Sequence, residues 1–181
     1  DGNCSIRAVI AGLSLQGSRD WVNTIGAALG DTAEESDMVG ELCLQSESLE
    51  EAIGLDHPEE RLTRLSALME ESDWTTAIRK VLAVKLADLP TTVAGEAKEL
   101  TQDGASLAFH EVGALGSLLG CGITIHSELH PDKSFSVGVD EDVGAPNVLL
   151  YHHDGHFDLL CPTVAAPQSV SPDDTDGGRP L

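Results

Sequence analysis

The sequence predicts an α+β domain, its helices gathered in the first two-thirds and its strands at the end. Apolar residues recur at helical spacing up to Leu119, most plainly in the stripe Trp74, Ile78, Val81, Leu82, Leu86 and Leu89. After Gly120 the repeat shortens from about 3.6 residues to about 2, the alternation of half-buried strands. Helices segregated from strands, instead of alternating with them, point to α+β.

Local signals place each element. Residues 4–15 form the first helix, with Val9, Ile10 and Leu13 inward and Gly17-Ser18 ending it. Asp20 caps a second short helix carrying Val22, Ile25 and Leu29, with Gly30 just past its end. The stretch 32–54 is acidic and helical in pattern, with Met38, Leu42, Leu49 and Ile53 apolar and Ser48-Leu49-Glu50-Glu51 as a capping box. Pro58 opens the next helix, which shows Leu62, Leu65 and Met69 on one face. Pro90 stops the Trp74 helix, and further helices are expected over 92–101 and 106–119. Residues 123–126, 134–139, 148–152 and 157–161 read as strands. Turns are expected at Pro131-Asp132, Gly144-Ala145-Pro146 and Asp154-Gly155. One domain is expected over 1–162, with about 20–72 as an acidic helical insert or substrate-docking lobe. Residues 163–181, rich in Pro, Ser, Asp and Gly, have almost nothing to bury and read as a disordered tail or linker.

A chain of 181 residues can bury a proper core. Aromatic residues make up only 3% of it, so that core must be mostly Leu, Val, Ile and Ala. The formal net charge of −21 argues against nucleic acid or an anionic membrane as partner and for a neutral or basic one. No stretch approaches the roughly 20 apolar residues of a membrane span. No signal peptide is evident, and a chain opening at Asp1 inside a motif reads as a fragment. Cys4, Cys43, Cys121 and Cys161 show no CxxC pairing, which speaks against a zinc knuckle. The last three sit among apolar neighbours and read as small core residues. A reducing, cytoplasmic compartment is the expectation.

Cys4 stands apart from the other three. It follows a Gly-Asn turn and precedes Ser5-Ile6-Arg7-Ala8-Val9-Ile10, where a helix begins. Unpaired N–H groups and the positive end of the macrodipole at such a place favour a thiolate over a thiol. A thiolate nucleophile needs a base, and the candidates are the histidines between Leu149 and Leu160. His152 and His153 are adjacent, so a strand turns them to opposite faces, and neither has an acid two residues on along the same face, Asp154 falling in the expected turn. His156 does: alternation brings Asp158 to its side, where a carboxylate can hold the ring's second nitrogen. The backbone N–H groups of Cys4 and of the Asp1-Gly2-Asn3 turn are placed to receive an oxyanion. His152, His153, Asp154 and His156 are too crowded to share one tetrahedral zinc, so no metal is expected.

Asp1-Gly2-Asn3-Cys4 followed by Arg7-Ala8 resembles the cysteine motif of the ovarian-tumour (OTU) family of deubiquitinating cysteine proteases. Gly155-His156-Phe157-Asp158 resembles that family's closing histidine strand. The elements between them come in the family's order, and the resemblance spans roughly 1–162. Ile6 stands where the family prefers an aromatic, and Asp103-Gly104-Ala105 replaces a Trp-Gly-Gly. The resemblance implies a papain-like fold, with the nucleophile on an N-terminal helix and the base on a late sheet. It implies a thiol-dependent isopeptidase with Cys4, His156 and Asp158 as the triad and Asp1, Gly2 and Asn3 as the oxyanion loop. No cofactor is implied. The implied partner is ubiquitin or polyubiquitin, or a ubiquitin-like modifier, for an enzyme expected to be monomeric. Some bacterial effector members carry an enlarged helical insert after the cysteine helix. The stretch from Val9 to Ile78 is similar in its extra length, which would place the chain in a host cytoplasm.

Other functions share these residues. A Cys-His deamidase or acyltransferase would use the same core. A catalytically inactive ubiquitin-binding module is the third reading, and the intact set Cys4, His156 and Asp158 speaks against it. The acidic stretch from Asp31 to Glu71 is either a solvated face or a surface that steers the Arg-rich tail of ubiquitin.

Overall fold

A computed structural model describes residues 2–18, 20–30, 48, 50–71, 74–87, 105–139 and 144–161. Within them run α1 (Cys4–Leu15), α2 (Asp20–Gly30), α3 (Pro58–Glu71), α4 (Trp74–Ala87) and α5 (Phe109–Leu119). A helical turn over 50–53 precedes α3. The strands follow: β1 (Gly122–Ser127), β2 (His130–Gly138), β3 (Asn147–His153) and β4 (His156–Leu159). They form one mixed sheet in the order β2-β1-β3-β4, with β1 parallel to β3 and the other two pairs antiparallel.

The register decides which side chains meet the helices. Ile123 pairs with Val137 and Val148, Ile125 with Phe135 and Leu150, and His152 with Phe157, so alternation puts all of these on one face. On that face α5 packs over β1 and β2, and α1 over β3 and β4. Thr124, His126, Tyr151, His153, His156 and Asp158 turn to the other face. The core joins Ile6, Val9, Ile10 and Leu13 of α1 to Trp21, Ile25, Ile78, Leu82, Val112 and Leu115 of the other helices, all buried. α1 can lie so close to the sheet because position 12 is glycine. A Cβ there would come within 2.6 Å of Val148 Cγ1 and 3.0 Å of Leu159 Cδ1.

Several boundaries differ from the sequence expectation. α5 begins at Phe109 instead of residue 106, because Ala108 is extended and its N–H is taken by the Glu111 carboxylate. That is half of a capping box, since an alanine carries no acceptor of its own. The turn expected at Pro131-Asp132 falls at 128–129 instead, and β2 starts at His130. Ser127 pairs with His130 while His126 pairs with Ser134, so Pro131, Asp132 and Lys133 sit in an irregular bulge of an edge strand. A proline is tolerated there because the ladder asks nothing of its nitrogen. β4 starts one residue earlier than expected, at His156, which brings that residue into the ladder. Cys121 is buried as expected, but Cys161 is exposed. It lies beyond the end of β4, where Leu160 is itself 37% exposed, so its apolar neighbours do not make a core around it. Cys43, most of the acidic stretch, the helix expected over 92–101 and the segment 163–181 lie outside the described residues.

Candidate active site

The site is built from two ends of the chain. At the first end, Gly2 and Asn3 are buried and lead into α1, whose first residue is Cys4. Asn3 stands at the N-cap, and its carbonyl accepts the Arg7 N–H at 3.0 Å. Asparagine at this position usually caps the helix through its side chain. Here the side chain makes no cap hydrogen bond, because its Oδ1 accepts from Arg79 Nε at 2.6 Å. Arg79 Nη2 donates to the Gly2 carbonyl at 2.7 Å and also to the Ala105 carbonyl. Arg79 is fully buried on α4. One guanidinium therefore joins the loop before Cys4, helix α4 and the segment entering α5.

At the second end, Asp154 (φ 46°) and Gly155 (φ 74°) both lie in the left-handed region. Two such residues in succession make the tight turn that suits a twisted hairpin, and they fix the register His153 opposite His156. The Leu160 N–H donates to the Leu149 carbonyl at 2.9 Å, so the hydrogen-bonded pairs of this ladder are 149–160, 151–158 and 153–156. Phe157 lies between them, and its N–H faces away from β3 towards the free edge of the sheet. There it meets Cys4: the Phe157 N–H donates to Sγ at 3.4 Å. The cysteine approaches from the helical side, at the peptide that joins His156 to Phe157.

The three neighbouring histidines have different surroundings. His152 packs on the helical face against Phe109 and Phe157, with ring centroids 5.0 and 4.7 Å away, and its Nδ1 lies 3.5 Å from Ser127 Oγ. His156 and Asp158 share the other face, where His156 Nε2 lies 3.1 Å from Asp158 Oδ1. His153 comes to the same carboxylate from across the hairpin, its Nε2 2.8 Å from Asp158 Oδ2. The Tyr151 ring stacks on His153 at 5.5 Å. The hydrogen bond to Asp158 holds the His153 imidazole above its ordinary range, and the same bond holds the Asp158 carboxyl below its own. The charges of His156 and His153 and the hydrogen bond with His156 add to the lowering at Asp158.

Of the residues singled out in the sequence, Gly2, Asn3 and Cys4 stand together at the start of α1, and His156 and Asp158 stand together on β4. The Cys4–Phe157 contact joins the two groups. Asp1 lies outside the described residues. Two residues escaped the sequence reading. His153 has no acid beside it along its own strand, and its acid comes from across the turn; a two-residue Asp-Gly turn fixes that register in advance. Arg79 carries no sequence signal beyond its place next to Ile78 in the apolar stripe. It lies seven residues before Leu86 and four before Ala83, both buried, and so on the inward arc of α4.

No protein-family model and no curated protein matches the chain. Solved structures do. The chain is similar to h/ceOTUB1 in its complex with ubiquitin aldehyde and UBCH5B~Ub, with 18% identity, a TM-score of 0.58, and 88% of this chain and 72% of that one covered. It is similar to ceOTUB1 with ubiquitin aldehyde and UBC13~Ub, with 16% identity, a TM-score of 0.60, and 88% and 75% covered. A third, h/ceOTUB1 with ubiquitin aldehyde and UBC13~Ub, gives 16% identity and a TM-score of 0.56, with 88% and 73% covered. The likeness is one of architecture: this chain has the papain-like fold of the OTU deubiquitinases.

Proposed function

We propose that the chain is a cysteine deubiquitinase that hydrolyses the isopeptide bond after the terminal glycine of ubiquitin. The observation that carries this reading is the contact of Cys4 Sγ with the Phe157 N–H, on the strand that bears His156 and Asp158. The fold it shares with OTUB1, solved with ubiquitin aldehyde, supports ubiquitin as the partner. In this reading Asp158 Oδ1 accepts from His156 Nε2–H, which leaves Nδ1 as the nitrogen that takes the Cys4 proton. The thiolate attacks the glycine carbonyl carbon, and the developing oxyanion is received by backbone N–H groups at the start of α1. Collapse breaks the C–N bond, and the leaving lysine amine takes the proton from His156. Water then hydrolyses the thioester, giving its proton to the same ring. A reducing compartment such as the cytoplasm keeps Cys4 as a thiol. The effector-type variant of this reading rests on the extra length of the stretch from Val9 to Ile78.

A ubiquitin probe with a C-terminal electrophile tests the proposal. Wild type is expected to form a covalent adduct, and Cys4→Ala none. His156→Ala is expected to slow it by about 10²- to 10⁴-fold, the range for a positioned acid–base group. Iodoacetamide labelling of Cys4 without any ubiquitin adduct would move the assignment to the deamidase or acyltransferase chemistry. An adduct that survives Cys4→Ala, or no labelling by either reagent, would end the enzyme reading.

A further inference from the structure

Arg79 lies outside the thiol machinery proposed above, yet it holds the loop on which that machinery depends. The helix fixes the first donor of that loop. The Asn3 carbonyl points along α1 to accept the Arg7 N–H. In a trans peptide the N–H on the far side of the bond points the opposite way, so the Cys4 N–H is directed out of the helix start, where it has no intrahelical acceptor. The helix does not fix the second donor. The Asn3 N–H belongs to the peptide whose carbonyl is that of Gly2, and Arg79 Nη2 holds this carbonyl at 2.7 Å in the interior. The same trans geometry then turns the Asn3 N–H away from the guanidinium.

The missing cap agrees with this arrangement. An asparagine side chain at the N-cap would normally be drawn onto the N–H groups of the first turn. Arg79 Nε holds Asn3 Oδ1 at 2.6 Å, and the side chain makes no cap hydrogen bond. The Asn3 side chain is therefore drawn away from the mouth of α1 beside Cys4. Arg79 is 0% exposed, and a charged fork so deeply buried keeps a fixed orientation because each acceptor is matched in direction. We infer that Arg79 is a positioning residue that orients the Asn3 and Cys4 amides as the oxyanion hole. The inference rests on the Cys4 chemistry proposed above, but it does not depend on ubiquitin being the substrate.

The test compares two reactions of the same thiol in the full chain. With p-nitrophenyl acetate, Cys4 sulfur bonds to the acetyl carbon, the carbonyl electrons move onto oxygen, and their return expels p-nitrophenolate. That path passes through an oxyanion. With iodoacetamide, sulfur displaces iodide directly and no oxyanion forms. Rates for Cys4→Ala are subtracted from both, which removes the contribution of exposed Cys161. Arg79→Lys keeps the charge and loses the fork. It is expected to slow acylation by about 10²-fold, as loss of one oxyanion donor does elsewhere, with alkylation within about twofold of wild type. Asn3→Ala removes one acceptor and leaves Arg79 bonded to the Gly2 and Ala105 carbonyls. It is expected to slow acylation by about tenfold, again with little change in alkylation. Thermal unfolding identifies a variant that has lost its fold; should Arg79→Lys be one, Asn3→Ala decides alone. Acylation and alkylation falling together in a folded variant, or neither falling, would overturn the inference. Loss of acylation alone in a chain that ignores the ubiquitin probe would leave Arg79 in its role and remove only the ubiquitin assignment.

Discussion

Asp158 lies nearer to His153 than to His156, at 2.8 Å against 3.1 Å, although only His156 shares its strand. The carboxylate is thus divided, Oδ2 to one ring and Oδ1 to the other. His153 is held above the ordinary imidazole range by this bond and Asp158 below the ordinary carboxyl range. The His153 side chain is 33% exposed and that of Asp158 53%, so solvent screens the pair and its effect is expected in titration more than in stability. The signs are opposite. A raised imidazole contributes at low pH, and its contribution is lost as pH rises through the folded-state value. A lowered carboxyl contributes at higher pH and is lost as pH falls through its own folded-state value. Both groups are charged only between those two limits. The ring-proton NMR titration of His153 is expected to have its midpoint above about 6.5 and to fall back towards that value in Asp158→Asn. An unchanged midpoint in the variant would show that the bond does not hold in solution.

Among the described residues, cysteine reactivity separates the buried thiol from the accessible ones. Cys121 lies at 0% exposure between α5 and β1, and burial pushes its thiol up to about 12. The thiolate is the reactive species, so at pH 8 this residue should be inert. Cys4 is half-buried and Cys161 exposed. Brief iodoacetamide treatment followed by peptide mass mapping is expected to modify these two in the native chain, and Cys121 only after denaturation. Native modification of Cys121 at a rate comparable to Cys161 would mean that the α5–β1 junction opens readily.

The sequence carried the fold where chemistry is local. Pro58 and the stripe from Trp74 placed two helices, and the change of period at Gly120 placed the sheet. Asp154-Gly155 gave the hairpin on which His156 and Asp158 sit together. What stayed hidden depends on pairing between distant segments. Pro131 suggested a turn because a lone sequence does not show which strand lies at the sheet edge and can absorb it. Cys161 suggested a core residue because apolar neighbours in sequence say nothing of whether a helix covers them. Arg79 was invisible because its acceptors, Gly2, Asn3 and Ala105, lie 77, 76 and 26 positions away.

The approach of α1 to the sheet depends on one missing methyl group. Gly12→Ala would set a Cβ at 2.6 Å from Val148 Cγ1, and Val148 is 1% exposed and stiff at χ1. Either the valine or the helix must move. Such overpacking costs about 1–3 kcal/mol. At about 2–4 °C per kcal/mol for a chain of this size, Tm should fall by roughly 2–12 °C. Because α1 also carries Cys4 against the Phe157 N–H, a helix pushed outward would slow the ubiquitin probe as well. A fall in Tm with an unchanged adduct rate would show that Val148 yields and the helix does not. An unchanged Tm would mean the contact is relieved without cost.

The far end of α1 needs a cation that its own sequence does not supply, for its last turn contains no basic residue. Arg61 supplies it from α3. Its Nη1 donates to the Ser14 carbonyl at 2.9 Å and to the Leu15 carbonyl at 3.0 Å, while Nε and Nη2 hold the Leu55 carbonyl at 3.1 and 2.6 Å. The fork therefore closes the carbonyl end of α1 and fastens α3 to it, and the negative pole of the helix favours the charge. Hydrogen bonds to a charged group contribute about 1.5–3 kcal/mol when one partner is removed. Arg61 is only half-buried, which places Arg61→Ala at the lower end, near 2 kcal/mol. Arg61→Lys should recover part of that loss, since a single ammonium cannot reach both sets of carbonyls. Arg64→Ala, at an exposed position of the same helix, should stay within about 0.5 kcal/mol of wild type. Urea midpoints for the three variants, read at a common slope, decide the matter. Equal small shifts for Arg61→Ala and Arg64→Ala would show that water replaces the fork at the end of α1 without loss.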